Sequence, residues 1–359
     1  NQKYQTKIHS TKMPQITQDQ AKKFLNKIEN KVAIVHHDDL DGFASGILLY
    51  DFCKNKNAEP KSFPMILTED APKKILEKLK NFDTILIADI PPYFISKNFE
   101  KLKDKKILYI DHHQKDTEIS DFIQELRTPS DKYIPASRTC QELTNEKQWL
   151  GVAGTVADIG YKYPENDEYI NNFLKQNNLS LKQFEEQIVH PITAFLIYFS
   201  EDLPKAFEIL KEIDNPSEIK KIKKYADTVE TEIKTKIKEF ETAHEKIGET
   251  YFYYIKSKFK IKTIVATNIG LKHPEKITIF ATPENNQTIN LSFRNQSEKM
   301  DMSKMASETT KNLENANGGG HKRAAGGIIQ TKDLEKFKQN IRDYTESNPI
   351  KQLSNHTYS

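Results

Sequence analysis

Residues 32–49, VAIVHHDDLDGFASGILL, decide the fold of this chain. Residues 32–36 are a short apolar run with β-branched side chains, which predicts a buried strand, whereas residues 43–52 have the apolar face of a helix. Between them lies a motif of one histidine, two aspartates and a glycine, His37-x-Asp39-x-Asp41-Gly42. This motif is therefore a strand-to-helix turn, and in an open α/β sheet such a turn lies at the carboxyl edge, where ligands bind.

The turn concentrates negative charge. His37, Asp39 and Asp41 alternate along extended chain, and Gly42 lets the backbone turn tightly behind them. Carboxylates this close repel one another, and each costs several kcal/mol in desolvation when it is buried without a partner. A bound divalent cation removes that cost, so the motif predicts a metal site.

Two further predicted strands end in the same chemistry. The apolar runs 84–88 and 107–110 lead directly into polar residues, which are Asp89 after the first and Asp111-His112-His113 after the second. Because the carboxyl ends of parallel strands meet at one edge of a sheet, we expect these side chains to lie beside the first motif.

Four carboxylates and two imidazoles form the predicted metal centre, since a helix of small residues over 149–160 adds one more acid. The candidate ligands are His37, Asp39, Asp41, Asp89, His112 and Asp158. Two divalent ions balance four carboxylates, and ions about 3.5–4 Å apart can share one carboxylate and a bridging hydroxide. Oxygen and imidazole ligands without sulfur favour Mn²⁺, with Mg²⁺ or Zn²⁺ as less favoured ions.

The order of predicted elements indicates an α/β fold. Strands and helices alternate from residue 31, which predicts a doubly wound, mostly parallel sheet domain. Beyond residue 117 the pattern is less regular, and a helix over 137–145 is expected to have Ser137 as its N-cap. After Gly248 the composition changes to β-rich stretches, one of them over 261–267, which predicts a smaller α/β domain.

These patterns predict two domains joined by a long charged helix. The predicted boundaries are an N-terminal leader and helix over 1–30, a metal-binding domain over 31–215, a linker helix over 216–248, a second domain over 249–346 and a flexible tail over 347–359.

Composition limits the class of protein and the type of site. The length of 359 residues, 36% hydrophobic and 29% charged, fits two globular domains. The sequence contains no apolar run near the ~20 residues that cross a bilayer and no apolar signal segment, so we expect a cytoplasmic protein without membrane contact. Only two cysteines argue against disulfides and thiolate metal sites. A net charge of +3 favours a short or locally held polyanion over a long duplex.

A glycine-rich segment near the C-terminal end predicts a second site. Gly318, Gly319 and Gly320 present backbone N–H groups without side chains in the way, which is typical of an anion-binding loop. His321 and the earlier Arg294 can add charge-assisted hydrogen bonds to a phosphate.

Taken in order, these motifs resemble those of the DHH phosphoesterases. The resemblance rests on His37-x-Asp39-x-Asp41-Gly42, on Asp89, on Asp111-His112-His113 and on Gly154-Thr155-Val156-Ala157-Asp158. The glycine-rich segment, with Ser292-Phe-Arg294 before it, resembles the C-terminal domain of RecJ-like exonucleases and nanoRNases of archaeal type. Each motif alone is weak, but the resemblance covers most of residues 31–345 in the expected order.

The resemblance implies a role for each motif position. One ion would be held by His37, Asp39 and Asp89, and the other by Asp41, Asp89, His112 and Asp158. Asp111 would accept a hydrogen bond from a ligand histidine, and His113 would face the scissile phosphate, so both are counted as catalytic. The implied substrate-binding residues are Ser292, Arg294, Gly318, Gly319, Gly320 and His321.

The function that the resemblance implies is that of a two-metal phosphodiesterase. It would release mononucleotides from single-stranded DNA or short RNA by attack of the bridging hydroxide, with the active site in the cleft between the two domains. Two alternatives stay open: a hydrolase of small nucleotides, such as a cyclic dinucleotide or 3′-phosphoadenosine 5′-phosphate, and a catalytically inactive replication scaffold. Archaeal members of the family make replication or repair proteins the expected partners.

Overall fold

The computed structural model describes residues 15–96, 99–114, 117–284 and 286–349. The chain divides into two units, residues 1–227 and 228–359. Most of the predicted leader and most of the predicted C-terminal tail lie outside the described residues. No helix in the described ranges is long and apolar enough to span a membrane.

The first unit contains a five-stranded, all-parallel sheet in the order β2-β1-β3-β4-β5. Its strands are β1 Lys31–His37, β2 Glu59–Met65, β3 Thr84–Ala88, β4 Lys106–Asp111 and β5 Ile123–Arg127. The predicted α/β class is therefore confirmed. The sequence had not predicted β5, because Gln124, Glu125 and Arg127 interrupt its apolar pattern.

Ten α-helices follow or flank these strands within the described part of the first unit. They are α1 Gln18–Leu25, α2 Leu40–Asn55, α3 Ala71–Leu79, α4 Pro92–Ser96, α5 Ala136–Thr144, α6 Gln148–Ala157, α7 Asp167–Gln176, α8 Leu181–Phe184, α9 His190–Tyr198 and α10 Leu203–Leu210. One π-helical turn, Glu185–Val189, continues α8.

Alternate side chains of the strands pack into two separate cores, which is what a doubly wound sheet requires. Ile34 and Leu86 belong to a core that includes residues of α1, α2 and α5. Ala33 and Ile85, one residue earlier on the same strands, belong to a core that includes residues of α3 and α4. Both faces of the sheet are therefore covered by helices, and ligands have access at its edges.

The second unit contains a mixed six-stranded sheet in the order β10-β11-β9-β8-β7-β6. Its strands are β6 Glu245–Ile247, β7 Thr250–Tyr254, β8 Ile277–Pro283, β9 Thr288–Arg294, β10 Asn317–Gly320 and β11 Ala324–Gln330. The remaining helices are α11 Lys223–Ala243, which crosses the unit boundary, α12 Lys262–Lys272, α13 Met302–Thr310 and α14 Leu334–Ser347.

The prediction of a β-rich stretch over 261–267 was wrong, because this segment belongs to α12. Its many β-branched residues suggested a strand. However, Ile261, Val265 and Ile269 are fully buried at intervals of four residues, which is the period of a helix rather than of a strand. This spacing was present in the sequence and could have identified the helix.

The linker helix predicted over 216–248 is shorter than expected. A 3₁₀ turn, Pro216–Lys221, precedes α11, and the chain forms β6 before residue 248. Gly248 has a φ of +56° in the two-residue connection between the antiparallel strands β6 and β7. Glycine adopts this left-handed conformation without strain, so the hairpin ends the helical region.

Close packing of α2 against β1 predicts the effect of adding one methyl group. A Cβ on Gly46 would lie 2.4 Å from His36 Cδ2, whereas a Cβ on Gly270 of α12 would have its nearest neighbours at 3.6 Å. We expect Gly46→Ala to lower the free energy of unfolding by about 1–3 kcal/mol through overpacking. Gly270→Ala, the matched control, should raise it by up to about 1 kcal/mol because alanine favours helix. Urea unfolding measures both, and wild-type stability of Gly46→Ala would contradict this packing.

Candidate metal centre and substrate residues

The polar ends of three strands converge at one edge of the first sheet. β1 pairs with β2 on one side and with β3 on the other. The order in which successive strands are added to the sheet therefore reverses at β1. Such a switch point leaves a crevice at the carboxyl ends of the strands, where open α/β sheets bind ligands. His37 ends β1, Asp89 follows β3 and Asp111 ends β4.

All of the predicted metal ligands lie together at this crevice. His37 Nδ1 is 2.9 Å from Asp39 Oδ2 and 3.6 Å from Asp89 Oδ2. His112 Nε2 approaches three carboxylates, at 3.2 Å from Asp89 Oδ1, 3.4 Å from Asp158 Oδ2 and 3.8 Å from Asp41 Oδ2. The carboxylate of Asp89 thus lies between the two histidines.

Local backbone structure places two of these carboxylates. Asp39 is the N-cap of α2, and its Oδ1 accepts a hydrogen bond from the Gly42 N–H at 3.0 Å, which leaves Oδ2 to face His37. Asp89 has a φ of +59°, an uncommon value for a residue with a side chain. Such backbone strain concentrates at functional sites.

The hydrogen bonds of Asp41 show that the N-cap predicted for α5 was wrong. Its carboxylate oxygens accept hydrogen bonds from the backbone N–H groups of Ala136 and Ser137, each at 2.9 Å. Ser137 is therefore not the N-cap, and Pro135, which is, has no side chain that can accept a bond. An aspartate distant in sequence satisfies the free N–H groups of the helix, and the helix N-terminus in turn stabilises the buried carboxylate.

Asp111 has a different partner from the one that the resemblance implied. Its Oδ1 lies 2.8 Å from Nδ1 of His113, not beside a ring nitrogen of His37 or His112. Because a carboxylate only accepts hydrogen bonds, this contact places the proton of neutral His113 on Nδ1 and leaves Nε2 as the ring nitrogen for a ligand. Asp111 therefore orients His113, and it would support a metal ligand as well only if His113 itself binds an ion.

Arg127 is a residue of this site that the sequence analysis missed. Its Nη1 lies 2.8 Å from Asp111 Oδ2, its Nε donates to Glu125 Oε1 at 2.7 Å, and its guanidinium also donates to the carbonyl of His113. The burial of Asp111 favours its neutral form, but the hydrogen bond with His113 and the charge of Arg127 hold its pKa below the usual range. Arg127 belongs to β5, and without that strand no local pattern links it to the site.

Without bound cations the cluster retains protons. Burial opposes charge on His37 and His112, yet their hydrogen bonds and nearby carboxylates raise the pKa of His37 to about 11 and that of His112 to about 10. Burial, together with the charges of Asp41 and Asp39, raises the pKa of Asp89 to about 7. Excess negative charge is thus offset by protons that a metal ion can displace.

The residues present fit divalent metal ions. Within the described ranges, Asp89 Oδ2 and His112 Nδ1 are buried and have no hydrogen-bond partner. Three groups of side chains could each hold an ion, namely His37 with Asp39 and Asp89, Asp41 with His112 and Asp158, and Asp89 with His112 and His113. Their oxygen and imidazole donors match Mn²⁺, Mg²⁺ or Zn²⁺, as expected from the sequence.

The second unit brings the predicted substrate residues together in neighbouring strands. β9 pairs with β11, and β11 pairs with β10, so Ser292 lies opposite Gly326 and Gly326 lies opposite Gly319. Arg294, at the end of β9, lies opposite Ala324 and donates to the carbonyls of Phe293 and Ala325. His321 occupies the exposed turn between β10 and β11.

The glycine-rich segment is an edge strand rather than the loop expected from its composition. Some of its glycines have structural reasons: a Cβ on Gly318 would lie 2.3 Å from the Ala306 carbonyl oxygen of α13, and Gly320 has a φ of +148°. By contrast, a Cβ on Gly319 would meet no described atom within 4 Å, and one on Gly326 would have its nearest neighbour at 3.8 Å. The row beside Ser292 is thus open enough for a ligand to approach the backbone.

Two family models match the two units. The DHH family, N-terminal domain, matches residues 31–167, and the DHHA1 domain matches residues 250–347. This chain belongs to the DHH family of phosphoesterases. The first match contains every candidate metal ligand, and the second contains every predicted substrate residue of this DHH protein.

Solved structures show the same fold at low identity. RecJ from Thermus thermophilus in complex with Mn²⁺ aligns with a TM-score of 0.67 and 15% identity over 94% of this chain and 56% of that one. Exonuclease RecJ bound to manganese aligns with the same TM-score and identity over 94% and 96%. CDC45 from Entamoeba histolytica aligns with a TM-score of 0.50 and 10% identity over 90% and 97%. The DHH protein thus spans about half of the Thermus RecJ chain. A separate search found no curated protein that matches it by sequence.

The raised pKa values in the cluster predict how removal of the metal changes the stability of the protein at different pH values. His37 and His112 have raised pKa values in the folded state, so their contribution to stability is complete below about 6.5 and is lost as pH rises toward 10–11. The pKa of Asp89 is raised as well, so its contribution to stability is lost as pH rises from 3.8 to about 7. The metal-free protein should therefore lose stability from pH 5.5 to 8.5, and the rise in melting temperature caused by Mn²⁺ should grow over that range.

Differential scanning fluorimetry in EDTA and in Mn²⁺ measures this difference at each pH. Asp89→Asn is the control. Its amide cannot ionise, so the stability of this variant should depend less on pH. An Mn²⁺ effect of the same size at every pH would contradict the proposed exchange of protons for metal.

Proposed function

We propose that this DHH phosphoesterase is an Mn²⁺-dependent phosphodiesterase that releases mononucleotides from single-stranded DNA or short RNA. The observation that supports this most strongly is the convergence of two histidines and four aspartates, with N–O distances of 2.9–3.8 Å, at the switch point of the sheet. Four carboxylates around two imidazoles carry more negative charge than stable burial allows, so the site suits divalent cations.

Divalent ions bound here would polarise a phosphoryl oxygen and lower the pKa of an attacking water. The chain would supply orientation and one proton-transfer group. His113, fixed through Nδ1 by Asp111, would direct Nε2 toward a phosphate oxygen or protonate the leaving oxygen. Arg127 would keep Asp111 ionised and so hold the His113 ring in place.

Residues of the second unit would bind a phosphate of the substrate. Arg294 lies at the end of β9 beside the open backbone row of Gly326 and Gly319, and His321 lies exposed at the adjoining turn. Side chains of this kind make charge-assisted hydrogen bonds to phosphate, and glycine N–H groups can approach it closely. The proposed substrate-binding residues are Ser292, Arg294, Gly318, Gly319, Gly320 and His321.

Product analysis distinguishes the proposed function from its alternatives. The protein with Mn²⁺, and separately with Mg²⁺, is offered end-labelled single-stranded DNA and RNA together with cyclic di-AMP and 3′-phosphoadenosine 5′-phosphate. We expect successive mononucleotide release from the oligomers, faster with Mn²⁺. Hydrolysis of the small nucleotides alone would establish the small-nucleotide hydrolase instead, and no hydrolysis with tight oligomer binding would favour the scaffold.

Substitution of the central carboxylate, Asp89, is expected to cause a large loss of turnover. Asp89→Asn keeps the shape of the side chain but removes the charge that lies between His37 and His112. We expect kcat to fall at least about a thousandfold, because loss of a shared ligand disturbs both halves of the centre. Asp51→Asn, an aspartate that pairs with Lys147, is the matched control and should keep wild-type kcat. Wild-type kcat in Asp89→Asn would refute the assignment.

The phosphate role of the second unit predicts a loss of substrate binding. Removal of a charge-assisted hydrogen bond costs about 1.5–3 kcal/mol, so Arg294→Ala and His321→Ala should each raise KM for oligonucleotides about tenfold or more. Arg342→Ala removes a cation from the exposed side of α14 and should leave KM unchanged. If the Arg294 and Arg342 variants have equal KM values, Arg294 does not bind the substrate.

A further inference from the structure

A cavity of about 930 Å³ opens in the first unit directly beside the metal centre. Its wall includes His112, His113 and Asp158, and the segment 127–133 and Tyr163 complete most of the rest. Ligand pockets commonly have volumes of about 300–1,000 Å³, so the cavity is large enough for one nucleotide.

Two tyrosines that line this cavity form a stacked aromatic pair. The rings of Tyr133 and Tyr163 are stacked, with centroids 4.2 Å apart and an interplanar angle of 16°. The rings of Tyr133 and His112 also make a T-shaped contact, with centroids 5.1 Å apart and an interplanar angle of 87°. The Tyr133 hydroxyl donates a hydrogen bond to Asp158 Oδ2 at 2.7 Å. The stacked pair is thus in direct contact with two candidate metal ligands, His112 and Asp158.

The backbone behind the two rings is held by buried polar contacts. The Asn166 amide donates hydrogen bonds to the carbonyls of Tyr133, at 2.8 Å, and Gly160, at 3.0 Å, and Asn166 is fully buried. The backbone N–H of Tyr133 donates to the carboxylate of Glu165. A surface fixed in this way loses little entropy when a ligand packs on it.

The charges around the cavity favour a neutral planar group rather than a second phosphate. Lys132 and Asp131 contribute one positive and one negative charge to the lining, and Arg127 is already paired with Asp111 and Glu125. Gln114 and Ser130, which are exposed, offer neutral hydrogen-bond donors and acceptors to this cavity.

We propose that this cavity binds a nucleobase, stacked on the Tyr133–Tyr163 pair, of the nucleotide whose phosphate is at the metal centre. The inference rests on the proposed function and adds to it a base site. Because every base has an aromatic face, stacking tolerates any sequence. Tyr133 also positions Asp158, so Tyr163 is the residue whose effect on base binding can be measured separately.

The test measures the binding of adenosine 5′-monophosphate and of ribose 5-phosphate to the Mn²⁺-loaded protein by calorimetry. Ribose 5-phosphate keeps the sugar and the phosphate and has a hydroxyl group in place of the base. We expect Tyr163→Leu to weaken adenosine 5′-monophosphate binding about tenfold and to leave ribose 5-phosphate binding unchanged. Tyr163→Phe, the matched control that keeps the ring, should bind both ligands as the wild type does.

A spectroscopic measurement on the wild type does not depend on how well a variant folds. The fluorescence of 2-aminopurine riboside 5′-monophosphate should be quenched on binding, because stacking on an aromatic ring quenches this base. Absence of quenching despite binding would overturn the proposal. Equal losses for both ligands in Tyr163→Leu, or no loss for either, would overturn it as well.

These outcomes are distinguishable from failure of the proposed function. If the base is recognised through Tyr163 but no oligonucleotide is hydrolysed, the base site stands and the phosphodiesterase proposal fails. If oligonucleotides are hydrolysed but adenosine 5′-monophosphate and ribose 5-phosphate bind equally well, the base site fails and the phosphodiesterase proposal stands.

Discussion

Mutual repulsion among buried carboxylates is the constraint on which the rest of this structure depends. Asp41 and Asp89 are almost completely buried, and Asp39 and Asp158 lie beside them. The chain offsets this charge partly with two histidines and with the N-terminus of α5. The remaining negative charge is what a pair of divalent cations would neutralise, and the strained backbone at Asp89 is the local cost of holding that carboxylate in place.

The fold provides what this constraint requires. Side chains at the ends of β1, β3 and β4 meet because parallel strands share one carboxyl edge, and helices on both faces of the sheet bury the strands behind them. A second layer of contacts then fixes the site, with Arg127 holding Asp111 and Tyr133 holding Asp158. Removing such supporting partners from metal sites commonly costs about 10–100-fold in affinity or activity.

The sequence was sufficient for the parts of the site that have a local pattern. Strands β1, β3 and β4 are apolar runs that end abruptly in acid or histidine, so both the strands and the convergence of their ends could be predicted. Arg127 and Tyr133 could not, because their partners are defined only by the pairing of β4 with β5 and by loops far apart in sequence. The strand predicted over 261–267 failed for another reason, since β-branched composition was given more weight than the four-residue spacing of buried residues.

The measurement that tests the account most directly is the number of divalent ions that the chain binds. Equilibrium dialysis against Mn²⁺, followed by elemental analysis, should give two ions per chain for the wild type and fewer for Asp89→Asn. A wild-type protein that is folded and binds no ion at millimolar Mn²⁺ would contradict the claim that the clustered carboxylates form a metal centre.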